Sequence, residues 1–156
     1  MGKESINRVR PNISDSNVGD LRYERYKQAI NRYNDAMEHC YYIEAISLAE
    51  SLICDRLESL YNELSQSSRF SYKALECFFR TPVYKNIKAT YAPLFESIEA
   101  VRVWKGGRNH AIHEMAKLHE DCSSSFDADY AKLKSVAENG MKCFRNLDKA
   151  ISKYRK

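Results

Sequence analysis

The sequence contains few residues that break or redirect regular structure. Its 156 residues include only 5 glycines and 3 prolines. A β-sandwich or a series of βαβ units needs more turn-forming residues than these counts provide. A chain of this length is sufficient for one domain with a single buried core. The composition therefore favours one helical domain.

The sequence also lacks the features of a disulfide framework, a zinc site and a membrane span. The 5 cysteines are odd in number and widely separated, and no two form a CxxC pair. The start of the chain has no apolar segment, and no apolar run approaches the roughly 18 residues of a transmembrane helix. These absences lead us to expect reduced thiols in a cytoplasmic protein, with no metal, no cofactor and no contact with a membrane.

The charge of the chain is nearly balanced. Lys and Arg number 25, and Asp and Glu number 21, which gives a formal net charge of +4. Such a mild excess is compatible with an anionic partner but does not require one. The total charge therefore leaves the class of partner open.

Apolar residues recur at steps of three and four along most of the chain, which is the pattern of amphipathic helices. The clearest stripe runs from Tyr42 to Leu64. Residues 1–19 show no such period, so we expect a flexible arm there and a helical domain over residues 20–156. We expect an all-α up-and-down bundle of about five helices. Helical patterns cover six segments, residues 20–39, 42–64, 70–79, 93–105, 108–119 and 126–156.

The stretch GGRNHAIHEM, residues 106–115, interrupts this regular pattern. Gly106 and Gly107 are predicted to end one helix as C-terminal caps, and the next helix is predicted to begin at Arg108. That helix opens with a cluster of polar side chains, namely Arg108, Asn109, His110 and His113. The cluster is either a reaction centre or the polar start of a core helix.

Helix geometry separates these polar side chains. A helix turns about 100° per residue, so with Arg108 at 0° Asn109 and His113 lie at about 100° and 140°, on the border of the apolar arc. His110, at about 200°, points to the opposite side. Arg108 is expected to pass over the helix end towards the surface. Arg108, Asn109 and His113 are thus predicted to converge at the edge of a groove.

These three residue types suit the cleavage of an RNA phosphodiester. The guanidinium fork offers paired donors to two phosphate oxygens. A histidine exchanges protons near neutral pH, and an amide beside it orients the ring or binds a substrate oxygen. The ribose 2′-hydroxyl is then the nucleophile, so no metal is required and DNA cannot react in the same way.

The cluster resembles the signature of the HEPN superfamily, small helical domains named for their occurrence in higher eukaryotes and prokaryotes and for nucleotide binding. The signature is Arg, four to six residues, then His, often written R-N-x-x-x-H, and it stands here as RNHAIH. A tryptophan-containing helix leads into the motif, and LAESLICDRLESLY is similar to the family's long early helix. The resemblance covers about residues 20–154, and its specific part is the motif.

The resemblance implies a function for these residues. HEPN proteins typically dimerise so that two motifs form one RNA-cleaving centre, which would make Arg108 and His113 catalytic and Asn109 supporting. Many members are toxins or antiviral-defence effectors that are held by an antitoxin or another regulatory partner. In one subgroup the motif continues as His-x-Tyr, and the tyrosine is nucleotidylated. Met115 occupies that position here, so this form of regulation is not expected.

Three basic residues near the motif have two possible roles. Arg102, Lys105 and Lys117 are candidates for guiding an RNA backbone, and ordinary solvated charges are the alternative.

His110 and His113 do not have the spacing of the two zinc-binding histidines of zincin metalloproteases, so a metal site is not expected. Cys122 is close in sequence to His119, but no third residue that would complete a catalytic triad is indicated, so catalysis by this cysteine is not expected.

The tyrosines in RYERYKQAINRY, residues 22–33, resemble a single-strand-binding surface. Core packing is the favoured reading, because most of them share the buried stripe.

Two alternatives to a nuclease remain from the sequence. One is a non-catalytic HEPN-like module that binds a nucleotide or a protein through the same groove. The other is a helical interaction or structural protein in which residues 108–113 only begin a helix.

Overall fold

The described residues form an all-α, single-domain bundle of six helices, which confirms the predicted fold class; the predicted number of helices was about five. The computed structural model describes residues 16–65, 75–115, 117 and 125–156. No strand occurs within these ranges. The helices are α1 (Ser16–Glu38), α2 (Tyr42–Ser65), α3 (Leu75–Phe79), α4 (Pro82–Thr90), α5 (Ala92–Glu114) and α6 (Phe126–Tyr154).

Helix α2 lies at the centre of the bundle and contacts the five other helices. It is antiparallel to α1, and it is parallel to α6, as the contact of Ala49 with the backbone position of Gly140 and the ion pair of Arg56 with Asp148 show. Helices α5 and α6 are antiparallel neighbours. The central position explains why Arg56 and Glu58, which the sequence places away from the apolar stripe, are nevertheless buried.

The buried apolar residues form one continuous core cluster. Most residues of the predicted apolar stripe of α2 belong to it. Complete burial of a Leu, Ile or Phe side chain contributes roughly 1.5 to 3 kcal/mol each. The largest side chains with almost no exposure are Phe78, Ile46, Ile53, Leu57, Leu60, Leu75, Ile87, Leu94, Ile98, Leu133, Leu147 and Ile151.

Helix boundaries agree with the sequence prediction for α2 and α6 and differ from it at two other places. Helix α1 begins at Ser16, four residues before the predicted start at Asp20, while residues 1–15 of the expected arm lie outside the described residues. Helix α4 lies between two predicted helical segments, 70–79 and 93–105, where the sequence predicts no helix. The Thr81 side chain caps it by accepting from the Tyr84 N–H, and Pro82 occupies the first turn, where its missing N–H costs nothing.

The prediction that Gly106 and Gly107 end a helix is wrong. Helix α5 runs without a break through both glycines to Glu114. Each glycine costs a helix interior about 1 kcal/mol relative to alanine, but buried contacts lie on both sides of the pair. Trp104 precedes it and Arg108 follows it, so tertiary packing outweighs the local preference. The predicted end of this helix at residue 119 lies outside the described residues.

Gly140 of α6 has a packing role. A Cβ at this position would lie 2.6 Å from Cζ2 of Trp104 and 3.2 Å from Cβ of Ala49. The Trp104 ring therefore occupies the space that a side chain at residue 140 would fill, and its Nε1 donates to the carbonyl of Val136 at 2.8 Å. Trp104 and Gly140 together fix the level at which α5 and α6 meet.

Membrane crossing requires a helix that is both long and strongly apolar. No helix in the described ranges meets that requirement.

Candidate functional site

Arg108 occupies the core-facing side of α5. The buried residues of this helix are Leu94, Ile98, Val101 and Trp104. Arg108 is the next position in the same series, four residues after Trp104, and Ile112 continues it as a partly buried residue against the core. The helix therefore directs the arginine of RNHAIH towards its neighbours in the bundle.

The guanidinium of Arg108 is held by Glu50 of α2. Nη2 of Arg108 donates to Oε1 of Glu50, and the two side chains are 18% and 30% exposed. Nε of Arg108 is buried and has no hydrogen-bond partner. The expectation that this side chain passes over a helix end is wrong, because α5 has no end at this point. One edge of the guanidinium is thus committed to Glu50, and its Nε–H is unsatisfied.

Asn109, His110 and His113 lie on the outer side of α5. Both histidines are exposed, and Asn109 is partly buried. Asn109 and His113 are four residues apart and share a face, whereas Arg108 and His113 differ in direction by about 140°. Within one chain, therefore, the arginine faces α2 while His113 faces solvent.

The outer surface of α5 next to the motif is open. Val103 is 73% exposed, and a Cβ added at Gly106 or Gly107 would meet nothing within 4 Å. Val103 and His110, seven residues apart, lie on the same face of the helix. This surface has no cover from the described part of the chain.

Each basic residue proposed to guide RNA forms an ion pair. Arg102 pairs with Glu99 at 2.8 Å, Lys105 with Glu76 at 2.5 Å and Lys117 with Glu114 at 2.6 Å. The structure therefore balances the three charges locally, and their role towards RNA stays a prediction.

The Glu99 carboxylate is a shared acceptor. Burial raises its pKa, but hydrogen bonds from Tyr84 and Arg102 outweigh burial, so the pKa lies below its ordinary value. Burial and the same hydrogen bond raise the pKa of Tyr84 to about 12. The hydrogen bond from Tyr84 to Glu99 joins α4 to α5, and the exposed Arg102 donates to the same carboxylate.

The tyrosines of α1 serve mainly in packing, as favoured from the sequence. Tyr33 is buried and donates to the carbonyl of Ala137 at 3.0 Å. Tyr26 is partly buried and donates to Asp55 at 2.6 Å. Tyr23 differs from them, because it is 67% exposed.

No metal-ligand cluster is found in the described ranges, where no three His, Cys, Asp or Glu side chains are placed to share an ion. Cys122 lies outside the described residues. The remaining chemistry near the motif belongs to the Arg108–Glu50 pair and to the exposed amide and imidazoles of α5.

The residue that sequence reasoning missed is Glu50. It lies 58 positions before Arg108, and no local pattern connects the two. The sequence does place Glu50 away from the apolar stripe of α2, which is a weak sign that it needs a polar partner. Comparisons of the chain with protein-family models, with curated proteins and with solved structures give no match.

Proposed function

We propose that this protein is a metal-independent endoribonuclease of HEPN type, in which two copies of the chain form one composite centre. The observation that carries the proposal is the RNHAIH motif on a helix whose outer face presents Asn109 and His113 to solvent. A toxin or antiviral-defence effector, restrained by an antitoxin or other regulatory partner, is the biological role that the resemblance implies.

The proposed reaction is attack of a ribose 2′-hydroxyl on its own 3′-phosphate. His113 accepts the proton of the 2′-hydroxyl and the 2′-oxygen bonds to phosphorus. The bond from phosphorus to the 5′-oxygen of the next nucleotide breaks, that oxygen takes a proton from water, and a 2′,3′-cyclic phosphate remains. Asn109 orients His113 or binds a phosphate oxygen from the same face of the helix. Arg108 stabilises the negative charge that develops on the phosphate.

A second copy supplies what one chain does not bring together. Arg108 and His113 of one chain point about 140° apart, so a single phosphate does not reach both through one helix. Val103 and the open glycine pair provide an uncovered surface beside the motif. In the proposed dimer, packing of two such surfaces brings His113 of both copies to one interface, and Arg108 exchanges Glu50 for the phosphate when RNA binds.

Cleavage of labelled RNA by the purified protein in excess chelator tests the proposal. His113→Ala should reduce the cleavage rate by about 10²- to 10⁴-fold, the usual contribution of a positioned general base. His39→Ala is the matched control, because it removes an exposed histidine that lies just after α1 and away from the outer face of α5. A His113→Ala protein that cleaves as fast as wild type would refute the assignment.

A second candidate function is a non-catalytic module that binds a nucleotide or a protein. The pairing of Arg108 with Glu50 favours it, because this contact already satisfies part of the guanidinium. In that case wild-type protein does not cut RNA but binds a nucleotide, and Arg108→Ala removes the binding. Growth arrest on expression, relieved by His113→Ala and not by His39→Ala, distinguishes the nuclease from this module.

A further inference from the structure

The positive charge of the protein is concentrated at the C-terminal end of α6. Residues 139–156 contain six Lys and Arg and one Asp, a net charge of +5. The whole chain has a net charge of +4, so the other residues together are slightly acidic. One short segment therefore accounts for the basic character of the chain.

Four of these cations form a stripe on one face of α6, and a fifth, Lys156, follows just after the helix end; we call these five residues the α6 basic face. The four helical cations follow one another at steps of three, four and four residues, so they fall within an arc of about 80° and extend over about 16 Å of helix. All five are exposed. They are Lys142, Arg145, Lys149, Lys153 and Lys156.

The α6 basic face has no carboxylate partner among the described residues. Asp148, the one acidic residue of this segment, turns to the border of the face and pairs with Arg56 at 2.7 Å. Arg155, the sixth cation, lies outside the face and pairs with Glu63. The exposed neutral side chains beside the face can form hydrogen bonds; they are Asn139, Asn146 and Ser152. One exposed carboxylate, Glu138, lies at the N-terminal end of the same face and forms no ion pair with its cations among the described residues.

The N-terminal part of the face borders a groove of about 330 Å³ between α6 and α1. The groove is lined by Lys142, Arg145 and Asn146 and by the almost fully buried side chains of Tyr33 and Met141. Glu138 is the one carboxylate in this lining. Two cations and an amide thus line a groove whose apolar residues are almost fully buried, so the groove offers a ligand mainly charge and hydrogen bonds.

The arrangement is not explained by the stability of the helix. Like charges three or four residues apart destabilise a helix by about 0.2 to 0.5 kcal/mol per pair. The helix dipole favours cations in the last turn only, which accounts for Lys153 and Lys156. Lys142 and Arg145 lie more than two turns before the end of the helix at Tyr154 and gain nothing from the dipole. Glu138, four residues before Lys142, offsets only part of the repulsion among the cations, so a polyanion is the ligand that relieves the rest.

We propose that the α6 basic face binds the phosphate backbone of single-stranded RNA, at a surface separate from the RNHAIH motif. The choice of RNA as the polyanion rests on the proposed function, whereas the surface itself does not. Lys and Arg at regular spacing contact successive phosphates, and Asn and Ser side chains add hydrogen bonds to phosphate or sugar. A lipid surface fits less well, because the apolar residues of α6, including Leu147 and Ile151, are fully buried and unavailable for insertion.

Salt-dependent binding of a labelled oligouridylate of about 12 nucleotides tests this proposal. All proteins carry His113→Ala, so that no RNA is cut during the titration. The test variant carries Lys142→Gln, Arg145→Gln, Lys149→Gln and Lys153→Gln. The control variant carries four exposed cations of other helices and turns changed in the same way, so that both variants have the same net charge; they are Arg25, Lys27, Arg80 and Lys85.

The test variant should bind the RNA at least about tenfold more weakly at 0.1 M salt, and the slope of log K against log salt should fall by about 2 to 3, near 0.7 for each lost phosphate contact. The control variant should keep the slope of the parent. Equal losses in both variants, unchanged binding in the test variant, or binding to vesicles of anionic lipid without binding to the oligonucleotide would overturn the proposal. Circular dichroism confirms that both variants fold.

This experiment is independent of cleavage. If wild-type protein cuts RNA but the test variant binds it normally, the α6 basic face is not the binding surface while the nuclease stands. If wild-type protein does not cut RNA but the α6 variant alone loses binding, the nuclease fails while the binding surface stands.

Discussion

The basic residues of α5 and of the C-terminal half of α6 are used in different ways. Every Lys and Arg of α5, namely Arg102, Lys105 and Arg108, has a glutamate partner on its own helix or on another one. The five residues of the α6 basic face have none among the described residues. The charges of α5 therefore hold helices together around the motif, while those of α6 remain available to an anion.

The same contrast extends to the glycines of the two helices. Gly140 of α6 is needed for the close approach of Trp104, whereas Gly106 and Gly107 of α5 meet nothing in their own chain. In α6 the glycine is packed and the cations have no partner among the described residues, whereas in α5 the cations are paired and the glycines are uncovered. Variants of these residues can break or sharpen the comparison.

The largest expected effect on stability is the opposite response of two glycines to alanine. Gly140→Ala should lower the free energy of unfolding by about 1 to 2 kcal/mol, because overpacking against the rigid Trp104 ring outweighs the gain in helix propensity. Gly106→Ala should raise it by about 0.5 to 1 kcal/mol, since the new methyl group meets no atom. Urea denaturation measures both, and a stabilised Gly140→Ala protein would contradict the packing described here.

A smaller effect is expected at the Arg108–Glu50 pair. Glu50→Ala should destabilise the protein by about 1 kcal/mol, because it leaves a largely buried guanidinium without its partner. Lys149→Ala, on the α6 basic face, should change stability by less than about 0.5 kcal/mol.

A double-mutant cycle of Glu50→Ala with Arg108→Ala isolates the pair interaction. We expect a coupling energy of about 1 kcal/mol. A coupling energy near zero would show that the two side chains do not stabilise each other in solution.

The smallest effect is a difference in acid sensitivity. The hydrogen bond from Lys105 holds the pKa of Glu76 below its ordinary value of 4.5. The pair therefore stabilises the folded state above that pH, and this contribution is lost as the pH falls through the lower pKa of the folded state. Lys105→Gln should make the loss of stability below pH 4.5 shallower, while Lys149→Gln should leave the shape of the curve unchanged. Identical curves for Lys105→Gln and wild type would argue against the pair.

The sequence predicts the fold class and the long helices because their apolar stripes are strong. Helices α2 and α6 have the predicted bounds to within one or two residues. The prediction that the helix breaks at Gly106 and Gly107 is wrong because local helix propensity does not include packing against residues that are distant in sequence.

The candidate site is predictable only in part. RNHAIH and the outward direction of His110 follow from the sequence and helix geometry. The direction of Arg108 does not, because the missing break in α5 changes it and because Glu50 is 58 positions away. The α6 basic face can be read from the sequence only once the partners of the other cations are known, since charge counts alone do not separate paired from unpaired residues.

The central claim is that two copies of the chain complete one RNA-cleaving centre across the outer face of α5. The most direct measurement pairs the mass of the protein in solution with its rate of RNA cleavage, for wild type, Val103→Arg and Leu21→Arg. Leu21 is the matched control, because it is an exposed apolar residue, 58% accessible, on α1.

Wild type and Leu21→Arg should be dimers that cleave RNA. Val103→Arg should be a monomer that cleaves RNA at least about 100-fold more slowly. A monomeric Val103→Arg protein that cleaves RNA at the wild-type rate would contradict the composite centre.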